Sequence, residues 1–200
     1  FRSELGLGRE DPLVLHVGRF DVPKDQATLL RAWANVAPAV PRAVLVIVGS
    51  GPLEDELREL ATSYGIAKRV RFVAPRPDLA PVYTDADVFV LSSRWEGFPY
   101  VVLEAMARGV PVVATAVGGL PDLVRHEETG LLVPPRSPEA LAGAIQRILR
   151  DGVLRRKLIA GGYALAQKHT AEHFLQQVVA FIRDRVGVDL LSCGETAPCA

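Results

Sequence analysis

The chain is predicted to be an α/β protein: a Rossmann-like doubly wound parallel sheet of about six strands with a helical C-terminal extension. Three observations predict it. Short apolar runs alternate with longer segments of helical spacing, the runs are apolar at nearly every position, and strand-like runs stop at Ser137. Regular alternation of strand and helix implies a parallel sheet, and strands without a polar face fit burial between two helical layers. Two hundred residues, 49% of them hydrophobic, suffice for one well-buried domain.

The predicted strands are LVLHV at 13–17, AVLVIV at 43–48, VRFV at 70–73, DVFVL at 87–91, PVVAT at 111–115 and GLLV at 130–133. Between them lie QATLLRAWANVA, LEDELRELATSYG, LAPVYTDA and YVVLEAMARG, each with apolar residues near helical spacing. The extension consists of SPEALAGAIQRILRD, VLRRKLIAGGYALAQKH and TAEHFLQQVVAFIRDRV. Ser137 and Thr170 are placed to cap two of these helices, with Glu139 and Glu172 favourable in the first turns. Phe174, Val178, Phe181 and Ile182 form an apolar stripe on the last helix, read as core.

Composition narrows the function. With 23 basic and 23 acidic side chains the formal charge is zero, so neither nucleic acid nor an anionic membrane is expected as the main partner. No apolar run reaches the roughly 18–20 residues of a membrane span, and FRSELGLGREDP lacks a secretory signal's apolar core. The expected location is the cytoplasm, any membrane association resting with another domain. Cys193 and Cys199 lie in a Gly- and Pro-containing stretch and are read as free thiols, with residues 187–200 expected as a disordered tail.

In an open parallel sheet, ligands bind beyond the carboxyl ends of the strands, so the loops there carry the chemistry. They read GRFDVPKD, GSGP, APRPD, SSRWEGFP and AVGG. The helix near Pro99 is almost wholly apolar except for Glu104, which needs either an arginine partner such as Arg94 or Arg108, or a ligand hydroxyl. Glu96 precedes the same helix and is either a solvated loop acid or a crevice residue. Amides from Gly97 to Val101 make a natural anion site. Gly18, Gly49 and Gly51 would let the backbone turn close to a ligand, or are ordinary loop glycines. Arg19 and Lys24 are equally readable as surface charges.

The run Glu96-Gly-Phe-Pro-Tyr-Val-Val-Leu-Glu104, followed by AMARGVPVVAT and Gly118-Gly119, resembles the E-x7-E signature of the glycogen-synthase-like group 1 glycosyltransferases, retaining enzymes of the GT-B fold. VGRF with a following lysine, VGSGP, DADVFVLSS and TGLLVPP continue the likeness in the family's order over residues 13–185. The resemblance implies that Glu104 binds the ribose hydroxyls of a nucleotide diphosphate sugar and that Glu96 meets the transferred sugar near the reacting centre. It also implies that amides of Gly97, Phe98, Tyr100 and Val101 hold sugar hydroxyls and phosphate. Arg19 and Lys24 would clamp the diphosphate, which with Glu96 makes them the candidate catalytic residues. Fixed cations and a helix start would then stabilise the leaving diphosphate, with no metal or other cofactor expected. Arg76 and Pro77 mark the expected base site.

Competing motifs fall away. Gly49-Ser-Gly51-Pro-Leu-Glu54 lacks the third glycine of a dinucleotide fingerprint. Asp85-Ala-Asp87 resembles a metal-binding D-x-D but precedes a strand, at the wrong end of the sheet, and is read as capping or turn residues. His16 lies within the first strand and is read as core or crevice edge. His126, His169 and His173 show no metal-ligand spacing.

On this reading residues 1–186 form the donor-binding domain, and the family's N-terminal acceptor-binding domain is absent from the chain. The expected partners are a nucleotide-sugar donor, a sugar, lipid or small-molecule acceptor, and that missing domain. A non-catalytic nucleotide-sugar-binding module is the alternative.

Overall fold

The computed structural model describes residues 1–169, and Thr170, the stripe from Phe174 to Ile182, Cys193 and Cys199 lie outside them. Six parallel strands form one sheet in the order β3-β2-β1-β4-β5-β6. They are β1 Leu13–Val17, β2 Val44–Val48, β3 Val70–Val73, β4 Val88–Leu91, β5 Val112–Thr115 and β6 Leu131–Val133. The order runs outward from β1 in both directions, so the chain reverses its course between β1 and β4. That gap is where a doubly wound sheet opens a crevice.

Successive side chains of a strand point to opposite faces, and both faces here are covered. Val14, Leu45, Ile47, Val88, Val90 and Val113 belong to one apolar cluster with α1 (Gln26–Ala39), α2 (Glu54–Ser63) and α6 (Pro138–Arg150). Leu13, Leu15, Val44, Val46, Phe89, Leu91 and Val112 belong to the other, with α3 (Ala80–Thr84), α4 (Tyr100–Ala107) and α5 (Leu120–Leu123). Helix α7 (Gly152–Ala166) runs against α4. The lack of polar alternation in the strands is thus explained by two cores, one on each side.

All six predicted strands are present, four of them beginning one residue later than the pattern suggested. Short elements escaped it: α5 and the 3₁₀ turns at Ser3–Leu5, Val22–Lys24 and Ala67–Arg69. Ser137 stands at the start of α6, but its side chain makes no capping bond. Asp151 caps α7 instead, accepting from the amides of Val153 and Leu154 at 3.0 and 2.9 Å. No helix among the described residues is long and apolar enough to cross a membrane.

Asp87 stands at the amino end of β4, far from the crevice. Its carboxylate accepts from Leu13 N at 2.8 Å, from Arg2 at 2.6 Å and from Arg155 at 3.0 Å. Asp85 accepts from the Arg2 amide at 2.9 Å. The D-x-D pair therefore ties the N-terminal segment and α7 to the sheet, a larger part than the capping or turn role expected of it.

Candidate functional site

The loops after β1 and β4 meet across the crevice. The Lys24 ammonium lies 2.5 Å from Glu96 Oε1, and Ser93 Oγ donates to the same oxygen at 2.6 Å. Arg94 pairs with Asp25, Nε to Oδ2 at 2.9 Å, and its amide donates to the Pro23 carbonyl at 2.8 Å. Ser92 Oγ donates to the carbonyls of Lys24 and Asp25 at 3.0 and 3.1 Å. Burial alone would push the Asp25 carboxyl up, but Arg94 and Thr28 donate to it and hold it below the usual aspartate range. Asp25 sits at φ 48° and caps α1 through the Thr28 amide. This interlock accounts for Arg94, which the sequence offered as a partner for Glu104.

Glu96 is buried, with 7% of its surface exposed, so it is not a solvated loop acid. Its main chain is pinned by Gly118, whose φ is +52° and whose Cβ, if present, would lie 1.8 Å from the Glu96 carbonyl oxygen. A Cβ on Gly119 would lie 2.6 Å from the Gly97 carbonyl oxygen. The two glycines after β5 are therefore required by the loop that carries Glu96.

Beyond Glu96 the chain turns through Pro99, which stands just before α4 and not within its first turn. The backbone hydrogen bonds of the described residues leave the amides of Gly97, Phe98 and Val101 unused. The Tyr100 amide differs from expectation, since it donates to the Phe98 carbonyl at 3.1 Å. The Phe98 and Tyr100 rings meet edge to face at 4.9 Å, and both are exposed.

Glu104 is exposed, on the open side of α4, and neither Arg94 nor Arg108 pairs with it. Tyr83 Oη donates to Glu104 Oε2 at 2.8 Å. Burial and then the Glu104 carboxylate hold the Tyr83 phenol above its usual range, so it remains a donor.

Two adjoining clefts gather most of the remaining candidates. The first, about 530 Å³, is lined by Gly18, Arg19, Gly49, Gly51 and Arg76. The second, about 370 Å³, takes in Pro77, Tyr83 and Glu104 and shares Leu79 with the first. Glu96, Lys24, Gly97, Phe98, Tyr100 and Val101 line neither. Gly49 and Gly51 serve the packing of neighbouring loops: their Cβ atoms would lie 2.0 Å from the Gly18 carbonyl oxygen and 2.4 Å from that of Phe20. Arg19 is well exposed, and among the described residues its one acidic partner is Asp21 at 3.7 Å. Arg76 reaches Glu4 at 2.5 Å and stacks over the Phe1 ring at 4.9 Å.

His16 is wholly buried beneath the first cleft. Its Nδ1 faces the Val90 carbonyl at 3.0 Å and its Nε2 faces Gln26 Nε2 at 3.2 Å, which fixes a neutral ring protonated on Nδ1. Burial lowers its pKa to about 4. Gln26 also donates to the Arg19 carbonyl at 2.8 Å.

The family model described as Glycosyl transferases group 1 matches residues 1–165. The chain belongs to the group 1 glycosyltransferases. It is 39% identical over 200 residues to the D-inositol 3-phosphate glycosyltransferase of Jonesia denitrificans, covering 94% of this chain and 47% of that protein. Sucrose-phosphate synthase from Thermosynechococcus elongatus superposes with a TM-score of 0.81 at 41% identity, over 93% of this chain and 48% of that one. Anabaena HepE in complex with UDP-glucose superposes with a TM-score of 0.83, with 28% identity over 92% of this chain and 51% of that one. The chain thus spans about half the length of these relatives.

Sequence reasoning missed Ser92, Ser93, Asp25 and Tyr83. Asp25 carried a local signal, an aspartate three residues before Thr28 at a helix start. Ser92 and Tyr83 act through partners distant in sequence, and Ser93 through Glu96 three residues on, in a loop with no periodic pattern to mark it.

Proposed function

We propose that this chain binds a nucleotide diphosphate sugar and supplies the donor half of a retaining hexosyl transfer to a hydroxyl acceptor. The observation that carries the reading is Glu96: a buried carboxylate, paired with Lys24 across the β1/β4 gap, directly before a helix start with unused amides. A buried ion of this kind is costly unless paired, and its position beside open anion donors suits a sugar phosphate. The UDP-glucose complex of the Anabaena relative supports the same ligand class.

In this reading Glu104 receives ribose hydroxyls in the second cleft, Arg19, Lys24 and the amides of Gly97, Phe98 and Val101 hold the diphosphate and sugar, and the base lies by Arg76 and Pro77. The acceptor oxygen attacks the anomeric carbon as its bond to the phosphate oxygen breaks. The electron pair stays on the diphosphate, and the hydroxyl proton passes to that leaving oxygen on the same face. Glu96 orients the sugar and does not attack it. Arg19 and Lys24 stabilise the charge that develops, without a metal.

Calorimetric titration with UDP-, GDP- and ADP-glucose tests the donor site, and addition of an acceptor domain in trans, with NMR of the product's anomeric configuration, tests the reaction. Binding of at least one donor and a product of retained configuration are expected. An inverted product would overturn retention, and failure of all three donors to bind would overturn the site.

A further inference from the structure

The structure assigns Ser93 as the positioning residue that selects which oxygen of Glu96 meets the sugar, an inference that rests on the donor-site reading above. Oε1 receives two donors, Lys24 Nζ at 2.5 Å and Ser93 Oγ at 2.6 Å. Oε2 receives none. Among the described residues the one side-chain polar atom sealed from solvent without a partner is Gln26 Oε1, so Glu96 Oε2 retains access to solvent. One carboxylate oxygen is therefore saturated inside the protein, while the other is left free to accept a hydroxyl.

Lysine alone cannot enforce that division. Its ammonium is a compact charge on a flexible stem, and the terminal torsion of a glutamate is broad, so the carboxylate could rotate and exchange its oxygens. A hydroxyl donor on a fully buried side chain removes that freedom. Ser93 is itself fixed: Thr115 Oγ1 donates to its carbonyl at 2.7 Å, and both residues are buried. Its neighbour Ser92 grips the Lys24 and Asp25 carbonyls, so two consecutive serines locate both members of the ion pair.

The test compares wild type, Ser93→Ala, Glu96→Gln and the double variant by calorimetry with UDP and UDP-glucose, and with the GDP and ADP pairs. The quantity read is the gain in affinity when the sugar is present. Ser93→Ala is expected to leave nucleoside diphosphate affinity within about twofold and to reduce the sugar-dependent gain roughly tenfold, the loss of one charge-assisted hydrogen bond. The double variant should be no weaker than Glu96→Gln alone, because Ser93 acts through that carboxylate. Equal weakening of diphosphate and nucleotide sugar in Ser93→Ala, or an unaltered gain, would overturn the positioning role. If Ser93→Ala fails to fold, Ser93→Cys, of similar size but with a weak donor, is read by the same criterion. A wild type with no sugar-dependent gain, or a gain that survives Glu96→Gln, would instead overturn the placement of the sugar at Glu96.

Discussion

Lys24 and Glu96, 72 positions apart in the chain, meet at 2.5 Å and close the gap between β1 and β4. With 22% and 8% of their side chains exposed, the two charges are mostly withdrawn from water. Each therefore depends on the other. Lys24→Ala should destabilise the domain by about 2 kcal/mol, since it leaves a nearly buried carboxylate with one donor fewer. Lys24→Ala combined with Glu96→Gln should recover much of that loss in urea unfolding without recovering nucleotide affinity. Simple additivity of the two substitutions would show that the pair is not coupled.

Glu104 offers the opposite case, an exposed carboxylate held by Tyr83 at 2.8 Å. Glu104→Gln should weaken nucleotide binding roughly tenfold, as a neutral amide accepts hydroxyl donors less well. The ligand-free domain should lose less than about 0.5 kcal/mol. Thermal-shift titration with UDP, GDP and ADP reads both quantities, and an unchanged ligand-induced shift would remove Glu104 from the ribose.

The Gly118 position predicts a sharper structural penalty. Gly118→Ala sets a methyl 1.8 Å from the Glu96 carbonyl oxygen, so the Glu96 loop must move. A loss of about 3 kcal/mol or more is expected, together with loss of nucleotide-sugar binding. Gly65, at φ +69°, has no atom within 4 Å of a Cβ. Gly65→Ala should cost only roughly 1 kcal/mol, the backbone strain alone, and leave binding intact. Similar costs for the two would contradict the contact.

His16 should make stability depend on pH. Its folded pKa, about 4, lies below the ordinary 6.5 because the buried ring resists charge. The unfolded chain therefore takes up a proton first as pH falls. The stabilising contribution is complete above pH 6.5, declines from there to about 4, and amounts to roughly 3 kcal/mol. His16→Asn keeps a donor for the Val90 carbonyl but cannot titrate. Urea unfolding of both proteins at pH 7.5 and 5 should show a smaller loss for the variant, and parallel losses would contradict the buried neutral ring.

The strands were legible because burial on both faces selects uninterrupted Val, Leu and Ile, a signal contained in each run itself. The same holds for Glu104, a lone acid in an apolar helix. Burial of Glu96 was not legible, since it depends on Lys24, Ser93 and the glycines after β5, none of which is its helical or strand neighbour. The identity of the Glu104 partner failed for a similar reason. Arg108, the nearer of the two arginines in sequence, does not pair with Glu104, and Asp25 claims Arg94 from the loop after β1. Ser137 shows a local limit: a residue of the right type stood at the right position and formed no bond.

Glycines lock the loops after β1, β2 and β4 to their neighbours, and any side chain added at those contacts would part them. The loop after β3, APRPDL, contains no glycine, yet it supplies walls to both clefts. Its exchange for a segment of different length or chemistry would disturb no such fastening. On the donor-site reading, redesign of ligand preference is therefore best begun there, with Arg76, which holds Glu4 and the Phe1 ring, and Leu79, which packs on the core, retained.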